Sequence, residues 1–289
     1  MRWQGRQKSD NVSDRRGMSS PRGRVATGGG IGLVLALVIF LVTGDPGALF
    51  GAAVPQQQPQ AQTQNYEPSQ REQQLFDYAG VSLKDVEDTW NTVLPQYDEQ
   101  YKEPTMVIYS GYTESGCGAA DSGVGPFYCT RDQTIYLDLS FFDTLIQRYG
   151  AQQGDFIMNY VIAHEAGHHV QTLLGVTDQL NQLRQRVATG QMNQTEFNEY
   201  SVRYELQADY LAGVVAKYQA NRGYLEEGDL EEALSAAAAV GDDSIQKKAQ
   251  GYVDPDTFNH GTSQQRQTWF MKGFKAGDLS EWDTFNASI

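Results

Sequence analysis

Between Gly28 and Ala48 the chain is apolar except for Thr43 and Asp45, and its densest stretch, Ile31 to Val42, has no polar side chain at all. About 20 helical residues rise about 30 Å, the thickness of a hydrocarbon core, so one membrane-spanning helix is predicted within 25–54. From Pro55 to Gln74 the apolar residues give way to Pro and Gln, the composition of a linker. Helical spacing then appears at Leu83, Val86, Trp90 and Val93, preceded by Ser82 with Asp85 in a capping pattern. Two short β-branched and aromatic runs, Thr105–Tyr109 and Thr134–Leu139, read as strands of a small sheet, with Gly-rich turns between them. Beyond Leu139 the pattern is helical, over 141–149, 153–174, 178–189, 194–221, 229–247 and 262–276, with helix starts at Asp229/Glu232 and Thr262/Gln265. Residues 75–289 are therefore expected to form one α+β domain, mostly helical with a small sheet, preceded by one N-terminal transmembrane helix.

Charge adds a direction to this plan. Of the net −14 carried by 289 residues, positions 1–24 contribute +5 and the remainder −19. Lys and Arg ahead of an apolar run predict a cytoplasmic head at 1–24 and an exported domain at a bacterial cytoplasmic membrane. Gly51-Ala52-Ala53 resembles a signal-peptide cleavage site, but a 24-residue head is long for such a signal, so a retained single-pass anchor is the preferred reading. The acidic balance excludes a nucleic-acid backbone binder. Cys117 and Cys129, the two cysteines, flank the turn between the strands and are expected to form a disulfide on the oxidising side.

The chemistry concentrates at His164-Glu165-Ala-Gly-His168-His169. In H-E-x-x-H the two His are one helical turn apart on one face, suited to two corners of a zinc tetrahedron. Glu165 then lies beside the metal as general base for a zinc-bound water, whose pKa zinc lowers from ~15.7 toward ~7. Gly167 offers another element a close approach. His169 points about 100° away around the helix and reads as part of the metal's surroundings or as packing. A catalytic zinc needs a third protein ligand and an open position. Glu205 is the candidate, with Asp209 one turn on to accept the outer N–H of a ligand His. Unpaired carboxylates on so apolar a helix would be costly, and a dication removes the cost. His260 remains open between oxyanion donor, rival third ligand and, with Arg266, a structural role at the last helix. Asp242-Asp243 and Asp254-Pro-Asp256 read as solvated surface.

Five segments together resemble the bacterial neutral zinc metallopeptidase family: the head Met1–Arg16, Gly125-Pro-Phe-Tyr-Cys129 with Ile135-Tyr-Leu-Asp138, His164–His168, Glu205–Asp209, and His260-Gly-Thr-Ser with Arg266. The resemblance implies a membrane-anchored zincin holding one Zn2+ per chain. The Glu205–Asp209 pair further resembles the gluzincin arrangement of two His and one Glu. By the same likeness, Ile135–Leu139 or its partner strand would pair with extended substrate. The function expected is a zinc-dependent peptidase acting on peptide or protein substrates outside the cytoplasm, against the alternative of a zinc-stabilised, membrane-anchored scaffold.

Overall fold

A computed structural model describes residues 1–18 and 66–289. The expected anchor at 25–54 and most of the linker at 55–74 lie outside the described residues. No helix among those described is long and apolar enough to cross a membrane.

The first helix, α1 (Gln70–Val93), begins twelve residues before the Ser82 signal. Ser69 and Glu72 form a reciprocal capping box, and Ser82 is buried in mid-helix. The end of the expected linker, Gln70 to Gln74, is thus helical and belongs to the domain. Four strands form the main sheet: β1 (Val12–Arg15), β2 (Thr105–Tyr109), β5 (Phe127–Cys129) and β6 (Thr134–Asp138). Their order is β1-β2-β6-β5, parallel except for β5, which runs antiparallel to β6. A hairpin of β3 (Tyr112–Ser115) and β4 (Gly118–Asp121) stands apart from it.

β1 corrects the expected organisation. It comes from the head, expected as a segment separate from the domain, yet Val12 to Arg15 pair with Met106 to Tyr109 of the domain. Residues 1–18 and 66–289 are one folded body. Nothing in the hydrophobic pattern announced this, because Val12-Ser-Asp-Arg15 has a single apolar residue and draws its stability from ladder hydrogen bonds.

Seven helices follow: α2 (Phe141–Gln147), α3 (Phe156–Leu173), α4 (Val176–Ala188), α5 (Gln194–Asn221), α6 (Asp229–Ala239), α7 (Asp242–Gln250) and α8 (Ser263–Ala276). The expected helix over 229–247 is two helices. At Gly241, where a Cβ would collide with the backbone of Ser263, the chain turns so that Asp242 faces the loop before α8. Thr262 and Gln265 form the expected capping box of α8.

α3 is the central element. From Phe156 to Gln171 every residue except Glu165 is buried, the signature of a helix enclosed on all sides. It packs against α1, α5, α6 and strands β5 and β6. Its crossing with α5 depends on Gly167: a Cβ there would meet the Ala208 carbonyl oxygen at 3.1 Å and Cα at 3.2 Å. Removing that side chain brings the two long helices close enough for residues on facing turns to share one site. α8 closes against the far side of α5.

Candidate metal centre

The α3–α5 crossing places His164 and His168 opposite Glu205. The candidate ligand atoms of these three buried or nearly buried residues lie within 4.8 Å of one another. His164 Nε2 is 3.2 Å from one Glu205 oxygen and His168 Nε2 is 3.6 Å from the other.

The outer ring nitrogens have partners. His164 Nδ1 is 2.9 Å from Asp209 Oδ1, so its N–H donates outward and Nε2 is the nitrogen that faces inward. His168 Nδ1 is 2.8 Å from Gln171 Oε1, with the same consequence. The Gln171 amide is held in turn, donating to the Tyr204 carbonyl at 2.7 Å and to Gln207 Oε1 at 3.0 Å. Tyr204 also stacks on the His168 ring, 4.9 Å between centroids. Two imidazole Nε2 atoms converging on one buried carboxylate, each ring held from behind, make a donor set suited to a cation. Two His and one Glu with separations of this kind fit zinc.

Asp209 is itself pinned. Arg266 binds it with both arms of its guanidinium, Nε to Oδ2 at 2.8 Å and Nη2 to Oδ1 at 3.0 Å, and the Tyr160 hydroxyl donates to Oδ1 at 2.6 Å. Burial alone would raise the Asp209 pKa, but Arg266 and His164 outweigh it and hold the carboxyl below its usual range. For His164 the balance runs the other way. Burial disfavours its charged form, yet Asp209 and Glu205 bring its pKa up to about 9. Glu205 is lowered well below the ordinary carboxylate value, with His168 and His164 overcoming the cost of burial.

Glu165 is the one residue in the buried run of α3 that is not fully enclosed; it lines the cleft beside His164 and His168, and loss of hydration there pushes its pKa up. It therefore has the affinity for a proton that a general base, and later a proton donor, requires. The cleft holds about 480 Å³ and is walled on one side by Phe127, Tyr128 and Phe141.

His260 reaches the same cleft from the loop before α8. Asp242 organises it. One carboxylate oxygen accepts the backbone N–H groups of Asn259, His260 and Gly261 at 2.7 to 3.0 Å, and the other lies 3.1 Å from His260 Nδ1. Burial lowers the His260 pKa, but Asp242 and Glu205 together outweigh it, and the net shift is upward. The expectation that Asp242-Asp243 is solvated surface is thereby corrected: Asp242 is buried, and Asp243 accepts the N–H and hydroxyl of Ser263. Arg266 is likewise more than a helix-start residue, since its partner is Asp209. His169 turns away from the metal ligands, between the Tyr128 hydroxyl at 2.9 Å and the Lys102 carbonyl at 2.6 Å, and ties α3 to β5 and the chain before β2. It packs rather than supporting a ligand.

Sequence reasoning missed Gln171 and Asp242. Gln171 had a local signal, an amide three residues after a ligand His on a buried helix face. Asp242 had none, because its partners are main-chain groups of a distant loop. Cys117 and Cys129 form the expected disulfide, which joins the end of β5 to the chain before β4. Ile135–Leu139 is not a free edge: β6 lies between β2 and β5, and the border strands are β1 and β5, of which β5 lines the cleft.

The chain is similar throughout to "Uncharacterized protein YpfJ" of Escherichia coli strain K12, 47% identical over 300 aligned residues that cover the whole of both chains. It is 44% identical over 213 residues to "Uncharacterized protein Rv2575" of Mycobacterium tuberculosis strain H37Rv, covering 70% of this chain and 68% of that protein. No solved structure matches it. A family model described as "Putative neutral zinc metallopeptidase" matches residues 1–285, and the chain belongs to that family.

Proposed function

We propose that this chain is a zinc-dependent peptidase whose metal is held by His164, His168 and Glu205, acting on peptide or protein substrates outside the cytoplasm. The observation that carries the reading is the inward convergence of two imidazole Nε2 atoms and one carboxylate, each imidazole fixed from behind by a separate partner. Zinc bound there supplies a Lewis acid that makes water nucleophilic at neutral pH and polarises an amide carbonyl.

The chain's own residues supply the rest. Glu165 takes the proton of the attacking water and passes it to the leaving amine, a role favoured by its raised pKa. His260, kept in orientation by Asp242, donates a hydrogen bond to the oxygen that gains charge as the carbonyl is attacked. Asp209 and Gln171 hold the ligand imidazoles in the tautomer that metal binding needs. β5, antiparallel and at the sheet border with Phe127 and Tyr128 on the cleft, offers its main chain to an extended substrate. The Cys117–Cys129 disulfide supports an oxidising compartment. A purely structural zinc would want a fourth protein ligand, and the group found among the described residues has three.

The test uses the full-length protein, its zinc content and cleavage of a proteome-derived peptide library with and without chelator. Glu165→Gln should keep zinc at one per chain and lose cleavage by about 10²- to 10⁴-fold. Zinc-loaded Glu165→Gln cleaving at the parent rate would overturn the mechanism, and chelator-insensitive cleavage would overturn the metal's role.

A further inference from the structure

We propose that the head, residues 1–18, is a fixed partner of the domain, so that the N-terminal segment and the metal centre occupy the same side of any membrane the chain meets. The docking surface is built for it. β2 is buried from Met106 to Tyr109 and has β6 on one side; the head supplies the strand on its other side, and the Met106 N–H donates to the Asn11 carbonyl at 2.9 Å. Two carboxylates buried on α1 depend on head residues. Glu87, 2% exposed, accepts the Ser9 hydroxyl and the Asn11 amide, and Asp85, 1% exposed, pairs with Arg6 while accepting from Gln219. The Trp3 ring meets Tyr78 edge-on at 5.5 Å. Moving the head to the far side of a bilayer would strip β2 of its neighbour and leave two buried carboxylates short of partners.

The exits agree. The positive φ of Gly17 sets it directly against the Tyr66 ring, so residues 18 and 66 leave the body side by side. A single crossing would place the two flanks about 30 Å apart. The basic residues that suggested a cytoplasmic head also have local partners, Lys8 at 2.9 Å from Asp77 and Arg2 at 3.7 Å from Glu226, besides the pairing of Arg6 with Asp85. Their positive charge answers the acidic domain.

The experiment places one cysteine at an exposed position in the full chain, Gln7→Cys in the head or Gln250→Cys at the end of α7. Intact cells are treated with a membrane-impermeant maleimide, permeabilised cells give the total, and the unsubstituted chain gives the background from Cys117 and Cys129. The labelled fractions of the two variants should agree. Agreement at a high fraction puts the body outside; agreement at background puts it in the cytoplasm and would move the peptidase reading with it. Reaction of one variant in intact cells, with the other reacting only after permeabilisation, would overturn the proposal.

Discussion

Asp242 meets His260 twice, at its backbone N–H and at its imidazole Nδ1, and also accepts the N–H groups of the residues on either side, Asn259 and Gly261. The carboxylate thus fixes both the loop and the ring that it presents to the cleft. Asp242→Asn replaces one acceptor oxygen by a donor, and either the ring or the three N–H groups lose their partner. Peptide cleavage should fall about 10²-fold in kcat, with zinc content unchanged. His260→Ala should cost about as much, and the double variant little more than either single one, because the two residues act as a unit. Additive losses in the double variant would separate Asp242 from His260.

Arg266 reaches the metal centre through Asp209. Asp209→Asn weakens the hold on the outer nitrogen of His164, and zinc affinity should fall about 10- to 100-fold in competition with a chelator. Arg266→Gln removes the larger of the two positive partners of a fully buried Asp209, leaving His164, and should destabilise the metal-free protein by about 3 kcal/mol. Arg266→Lys keeps the charge but not the two-armed geometry, so its loss should fall between the parent and Arg266→Gln in thermal melts.

How much of this was legible follows from the range of each interaction. The pairs His164/His168 and Glu205/Asp209 are one turn apart on their helices, so the spacing alone puts each pair on one face. Their meeting across 41 residues of sequence requires the α3–α5 crossing, to which Gly167 was the visible clue. The strand signals at 105–109 and 134–139 rested on β-branched and aromatic residues, and the strands found there, Thr105–Tyr109 and Thr134–Asp138, are almost wholly buried. β1 and β5 had no such signal: β1 is polar, β5 has three residues, and both are strands because of their neighbours. That the head belongs to the folded body was not legible, because β1 pairs with a strand over 90 positions away and the carboxylates that meet Arg6 and Lys8 lie 79 and 69 positions away.

The disulfide should matter to substrate binding as well as to stability. It closes a loop of 12 residues' separation, joining the end of β5 to Cys117 on the cleft wall. Replacing both cysteines by serine should cost about 2–3 kcal/mol, or roughly 5–10 °C in Tm. If β5 aligns substrate, the variant should show a higher KM for extended peptides with kcat changed less, because the loosened strand affects binding more than the metal chemistry. An unchanged KM beside a lowered Tm would detach β5 from substrate alignment.

Alkaline pH should loosen the head. The α-ammonium of Met1 lies 2.9 Å from Asp155, 3.0 Å from Asp229 and 3.2 Å from Glu226, with Glu232 and the Tyr78 phenol also facing it. Burial works against its charge, but hydrogen bonds to Asp155 and Asp229 prevail and raise its pKa from 8.0 to about 10. A cation with a higher pKa in the folded state stabilises that state fully below the unfolded value and loses the contribution as pH passes the folded one. The stabilisation is therefore complete below about pH 8 and gone above about pH 10. Carboxylates keep their charge across this range, and burial holds Tyr78 neutral well above it, so the amine is the group in this cluster that titrates. Asp155 and Glu226 are about half-exposed, and solvent screening leaves a contribution on the order of 1 kcal/mol, a few degrees of Tm. Thermal melts from pH 7 to 10.5 should fall more steeply for the parent than for Asp229→Asn, which has already lost the stronger-buried partner. Parallel curves would mean that the amine contributes nothing to holding the head, and that β1 and the pairings of Arg6, Ser9 and Asn11 hold it alone.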